Sequence, residues 1–192
     1  MNATVRINGD RAEVWTGIQF PFAVPAIVSS VAKIPADNVQ FYQTYLGGGF
    51  GRRGTVSHLA EVTQIALQSS KAIQLVWTRE DDIQQGPFRP ASLMRIKAGV
   101  DADGNLTAWD AVRAGANVSP DSFRTLLPAA FPWMGEAIAE GVAQLSEMYF
   151  ENFAIDESST EGLFEDYDHA NTRVTHMTVD HDLPLTFWRS VG

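Results

Sequence analysis

The residues best suited to chemistry crowd into one stretch, Tyr45-Leu46-Gly47-Gly48-Gly49-Phe50-Gly51-Arg52-Arg53-Gly54. Glycines let a backbone take positive φ and approach a ligand closely, and a helix starting after them offers unpaired N–H groups to an anion. Arg52 and Arg53 add charge-assisted donors, so the stretch reads either as a pyrophosphate-type anion site or as a tight turn with two solvated arginines. Gly49-x-Gly51-x-x-Gly54, with Glu80 and Asp81 at the end of the next strand, also outlines a dinucleotide fingerprint, which makes an NAD(P)-binding domain the rival reading. The Walker loop is excluded, because Lys and Ser/Thr do not follow the glycines.

Other chemistries find less support. His58, His169, His176 and His181 lie among Asp166, Asp168, Asp180 and Asp182, but their spacing matches no metal motif and reads as solvated surface. Asp101-Ala102-Asp103-Gly104-Asn105 begins like a calcium loop and lacks the later carboxylates, which leaves a turn. There is no GxSxG, the serines lie in no recognised triad context, and the chain has no cysteine, so thiol nucleophiles, disulfides, thiolate zinc and iron-sulfur ligation by this chain are excluded. Gln19, in TGIQFP, reads locally as a surface or turn amide.

The elements that must position these residues follow from patterning. Apolar residues flank Asn8-Gly9-Asp10 as in a hairpin, and Pro25 to Ala32 suits a short helix. Val39 to Leu46 reads as a strand running into the glycines. Val56, Leu59, Val62 and Ala66 keep helical spacing, and Ile73 to Thr78 is a second strand. LMRIKAGV and LTAWDAVRAG form a second hairpin around Asp101–Asn105. Trp133 to Phe150 is a long helix, Asp156 to Asp168 an acidic solvated excursion, and TRVTHMTV a final strand. The expectation is an α+β fold of twisted mixed sheets flanked by helices, with one lobe over 3–115 and a helix-rich segment over 116–192.

The 192 residues, 45% hydrophobic, suffice for one sizeable core or two small lobes. Fourteen Lys+Arg against 23 Asp+Glu give a formal charge of −9, which argues against a general grip on nucleic acid or anionic lipid, so any anion must be held locally. No apolar run approaches the ~20 residues of a membrane span, and Met1-Asn2 leads into polar sequence unlike a signal peptide.

Four runs then fit one family in order: EVWTGIQFPF, YLGGGFGRRG, LVWTREDDIQQGPFRPASLMRIKAGVDADGNLTAWDA and PLTFWRSVG. Together they resemble the molybdopterin-binding large subunit of the xanthine dehydrogenase and aldehyde oxidase superfamily, nearest the isoquinoline 1-oxidoreductase beta subunits. The resemblance implies a fragment of a molybdenum hydroxylase, which oxidises a small-molecule aldehyde or N-heterocycle with water as oxygen source. It implies molybdopterin, in the cytosine dinucleotide form, and iron-sulfur clusters on a small two-iron two-sulfur partner subunit. Gln19 matches the glutamine that hydrogen-bonds an oxo ligand, and the amides of Gly49, Phe50 and Gly51 match the loop that faces it. Gly47, Gly48, Arg52, Arg53 and Arg189 complete the implied cofactor contacts, with no residue ligating the metal directly. The family's general-base glutamate is expected beyond Gly192, so the chain should be inactive alone and should expose apolar surface that self-associates. Gly54 stands where purine-oxidising relatives carry a glutamate. The family leaves the compartment open between cytoplasm and periplasm, and a non-catalytic scaffold or cofactor carrier is the remaining alternative.

Overall fold

In the computed structural model the described residues are 1–131, 134–163, 170–179 and 182–188. The chain opens with β1 (Asn2–Asn8) and β2 (Arg11–Thr16), an antiparallel hairpin in register Val5 to Val14 that turns at Gly9, φ 63°. Period-two alternation sends Ala3, Val5, Ala12 and Val14 inward. α1 (Ala23–Ala32) buries Ala23, Val24, Ala26 and Val28 and stops at left-handed Lys33. β3 (Val39–Gln43) runs parallel to β2, α2 (Ser57–Ala66) follows, and β4 (Ile73–Val76) pairs antiparallel with β1. The sheet order is β3-β2-β1-β4. Val5, Val14, Val24, Val28, Leu59 and Val62 belong to the core where α1 and α2 meet this sheet.

α3 (Arg79–Gln85) leads to a second sheet, in which β5 (Ser92–Val100) and β6 (Leu106–Gly115) form the expected hairpin and β7 (Asn171–Thr178) pairs parallel with β6. Its order is β5-β6-β7, so residues from both 3–115 and 116–192 share it. α4 (Ser119–Ala130) packs on α5 (Glu136–Asn152) and also touches α1. The fold is α+β with two mixed sheets flanked by helices, as expected.

Two local expectations change and two elements are added. The strand expected to reach Leu46 ends at Gln43, because its partner β2 ends at Thr16 and the Thr44 N–H to Thr16 carbonyl bond is the last one available. The charged run after Thr78 is a helix: Thr78 and Asp81 form a reciprocal capping box, and Glu80, Asp81 and Asp82 lie in the first turn, where the helix dipole favours them. α4 was not foreseen, since its N-terminal capping group comes from distant Asp156. The acidic excursion is not solvated at its start: Asp156, Ser159, Thr160 and Leu163 are all buried, with α6 (Glu157–Thr160) tucked beside the α4 N-terminus. Residues 164–169 lie outside the described residues.

The dinucleotide reading loses its scaffold. Glycine fingerprints work within a βαβ unit, and here β3 and β4 sit at opposite edges of the sheet with β2 and β1 between them. A 3-10 turn over Arg52–Gly54 separates the glycines from α2, and Asp81 is occupied in capping α3. Among the described residues no group of three or more His, Cys, Asp or Glu could hold a metal ion, and no helix is long and apolar enough to cross a membrane. His169 and His181 lie outside the described residues.

Candidate functional site

Two chain segments converge on the glycine loop. The first is the exit of β2. Ile18 is buried, its carbonyl accepting from the Gln43 carboxamide at 3.0 Å, and the Gln19 N–H donates to the Arg53 carbonyl at 2.9 Å. Gln19 itself is exposed, and its Oε1 accepts the Gly51 N–H at 2.9 Å. That bond settles the orientation of the carboxamide, because only its oxygen can accept. The Nε2 amino group has no partner among the described residues.

The loop between β3 and α2 takes left-handed backbone at Gly47 (φ 67°), Gly48 (φ 107°), Phe50 (φ 48°) and Gly51 (φ 83°). Among the described residues, the N–H groups of Gly47, Gly48, Gly49 and Phe50 donate to no protein acceptor, while that of Gly51 is taken by Gln19. The Gly51 amide therefore differs from its expected ligand-facing role. Phe50 is 59% exposed, so burial does little to offset a conformation costing roughly 1–2 kcal/mol for a non-glycine residue. Its ring folds back over Gly48.

Close approach to backbone requires glycine at Gly51, while at Gly49 an added side chain would displace the Gln19 carboxamide. A Cβ on Gly49 would stand 2.5 Å from the Gln19 carboxamide, and one on Gly51 would stand 2.5 Å from the Phe187 carbonyl oxygen. The second contact identifies the other converging segment, 184–188. It is held by Phe88, whose N–H donates to the Pro184 carbonyl at 2.8 Å and whose carbonyl accepts from Thr186 at 3.1 Å, and by Asp121, which accepts the Leu185 N–H at 2.9 Å. Next to Gly51 stands Trp188, whose indole N–H is buried without a partner. Sequence reasoning chose Arg189 from this motif and passed over Trp188. Arg189 lies outside the described residues.

The two arginines differ from both sequence readings. Arg52 is buried, pairs with Asp82 at 2.6 Å, bonds Thr55 and lies over the Trp77 ring at 5.8 Å from its centroid. Arg53 donates Nη1 to the Gly17 carbonyl and Nη2 to the Asn2 side-chain oxygen, both at 2.9 Å. Both guanidiniums thus bind protein groups, and the donors left open around the loop are neutral. Beneath them, His58 is fully buried with neither ring nitrogen bonded; burial, reinforced by the Met1 amine, Arg52 and Arg53, pushes its pKa down to about 3.

The site is therefore a cradle of neutral donors: four loop amides, the Gln19 amino group and, alongside, the Trp188 indole. Fixed neutral donors on a backbone loop suit a group that presents only acceptor oxygens.

Residues 1–123 match the family model described as the molybdopterin cofactor-binding domain. Isoquinoline 1-oxidoreductase subunit beta of Brevundimonas diminuta is 34% identical over 89 residues, 46% of this chain and 11% of that protein. The aldehyde oxidoreductase molybdenum-binding subunit of Escherichia coli K12 is 25% identical over 144 residues, 74% of this chain and 18% of that one. The crystal structure of quinoline 2-oxidoreductase from Pseudomonas putida 86 superposes with a TM-score of 0.62 over 97% of this chain and 21% of that chain, at 13% identity, a likeness of fold. The matched region thus spans between a tenth and a fifth of the length of these two curated relatives.

Proposed function

This chain belongs to the molybdopterin cofactor-binding domain family, and from that premise we propose that the Gln19 and glycine-loop cradle is its contact with the molybdenum end of the cofactor. The observation that carries the reading is the 2.9 Å bond from the Gly51 N–H to Gln19 Oε1, which holds the carboxamide on the glycine loop while its amino group and the amides of Gly47 to Phe50 have no partner among the described residues. Such donors fit oxo and phosphate oxygens. When bound, the pterin-held metal supplies the redox chemistry of hydroxylation, with water as the oxygen source. The residues of this chain bind and orient. Gln19 and the amides of Gly49 and Phe50 hold acceptor oxygens in place without reorganising, Gly47 and Gly48 extend the cradle, and Arg52 and Arg53 keep it in shape from within. Arg189, next in sequence after Trp188, supplies a further cofactor contact.

In this reading the chain is part of a molybdenum hydroxylase large subunit acting on an aldehyde or N-heterocycle. The rest of the subunit contributes the general-base glutamate, a small two-iron two-sulfur subunit accepts the electrons, and the pterin carries the cytosine dinucleotide. The chain alone is inactive. The test is an anaerobic titration of the isotope-labelled chain with molybdopterin released from a donor enzyme, followed by amide NMR. Shifts should concentrate at Gln19 Nε2 and at residues 47–50, and NAD should produce none there. Saturating molybdopterin without shifts at those positions overturns the reading, and turnover of an aldehyde by this chain alone overturns the inactivity.

A further inference from the structure

We propose that Arg53 is the positioning residue of the cradle, the group that decides which end of the Gln19 carboxamide faces outward. The inference rests on the reading of Gln19 given above. Three bonds carry it. The Arg53 carbonyl accepts the Gln19 N–H at 2.9 Å, Nη1 donates to the Gly17 carbonyl at 2.9 Å, and Nη2 donates to Asn2 Oδ1 at 2.9 Å. One residue at the far end of the loop thereby grips the β2 exit on both sides of Ile18, while Gln43 holds the Ile18 carbonyl between them. Asn2 is itself tied to β2, its carbonyl accepting from the Thr16 hydroxyl at 2.9 Å.

A carboxamide has two nearly isosteric orientations, and its surroundings choose between them. Here the choice depends on the Gly51 N–H lying opposite Gln19: the reversed amide would set donor against donor. That opposition holds only while loop and strand exit stay in register, and Arg53 sets the register with its main chain and side chain together. Arg52 has a different task, since its bonds run to Asp82, Thr55 and Trp77 and none reaches β2. The adjacent arginines thus divide the work: Arg52 ties the loop to α3 and Arg53 ties it to Gln19. Lysine cannot replace Arg53, because its single ammonium lacks the planar fork that meets two acceptors.

The experiment is amide NMR and hydrogen exchange on the full chain, comparing Arg53→Lys, Asn2→Ala and Arg52→Lys with the parent. Arg53→Lys should speed exchange of the Gly51 amide about tenfold, the equivalent of one hydrogen bond, and move the Gln19 side-chain amide signals to free-amide positions as its Oε1 loses the Gly51 donor. Asn2→Ala, which removes one of the two fork acceptors, should do the same by about threefold. Arg52→Lys should lower the melting temperature and leave both signals in place, which a merely structural role for Arg53 does not anticipate. Unchanged Gly51 exchange in folded Arg53→Lys, or equal disturbance by Arg52→Lys, overturns the inference. If Arg53→Lys fails to fold, Asn2→Ala decides by the same two signals. Molybdopterin titration separates the two claims: Gln19 signals that respond to Arg53→Lys in a parent chain blind to molybdopterin sustain the positioning role and overturn the cofactor reading.

Discussion

Gln19 is an unremarked amide in its own stretch of sequence, and its importance comes from what lies 2.9 Å away. The residues around it lend themselves to single substitutions with opposed outcomes. Gly51→Ala forces a Cβ against the Phe187 carbonyl at a φ of 83°, so it should destabilise the chain by about 1–3 kcal/mol in urea titration and weaken the Gln19 bond as well. Phe50→Gly removes a side chain from left-handed backbone at φ 48° and should leave stability unchanged or raise it by up to about 1 kcal/mol. A clear loss instead would mean that the ring over Gly48 outweighs the strain. His58 makes stability depend on pH. Its folded pKa of about 3 lies below the ordinary histidine value, so on acidification the unfolded chain takes up the proton first. The stabilisation is complete above about pH 6.5 and falls toward pH 3 by at most about 1.4 kcal/mol per unit. His176, lowered by burial and by Arg113, contributes with the same sign. Replacing His58 with Leu should flatten the slope in urea titrations between pH 4 and 6.5; an unaltered slope would show that other groups carry it.

At the level of the elements, caps explain both what could be read and what could not. α3 carries its cap within its own sequence, Thr78 to Asp81, and Thr78→Ala should cost about 1 kcal/mol of stability. α4 is capped from afar. The buried Asp156 carboxylate accepts the N–H groups of Val118 and Ser119 at 2.8 and 3.1 Å and the hydroxyls of Ser119 and Ser159 at 2.8 and 3.0 Å. It also faces the charge of the fully buried Arg113, whose Nε and Nη2 have no hydrogen-bond partner. Asp156→Ala leaves these donors and this cation uncompensated and should cost about 3–5 kcal/mol, read as a drop in the urea midpoint. An acidic, serine-rich run looks solvated because composition reports polarity, and here the polar atoms are inside because each has found a partner.

For the molecule as a whole, the core where α1 and α2 meet the first sheet contrasts with an open second half. Leu145, Met148, Tyr149 and Phe153 line α5 in exposed positions, and edge strand β5 leaves Leu93 76% exposed. Contiguous apolar surface of this kind marks an interaction face. The isolated chain should therefore associate with itself at high concentration, and Leu145→Glu with Phe153→Glu should shift sedimentation toward monomer. A parent chain that sediments as monomer throughout contradicts this.

Local patterning was enough for the two hairpins, for α1, α2 and most of α5, and for a glycine loop between a strand and a helix. Periodicity and turn chemistry act over a few residues, and those signals are written contiguously. Gln19 and the WRSVG motif were assigned to the cofactor site only through the resemblance to a known family. Only packing could show that Gln19 accepts from Gly51, that Phe187 and Trp188 close against the same glycine, and that Arg52 and Arg53 turn inward to Asp82, Gly17 and Asn2. These contacts join residues 30 to 137 positions apart, and their geometry depends on where β2 ends and how segment 184–188 docks on Phe88. Adjacent arginines beside glycines look the same in sequence whether they reach for a ligand or for their own fold. The difference is set by which acceptors the tertiary structure brings within about 3 Å.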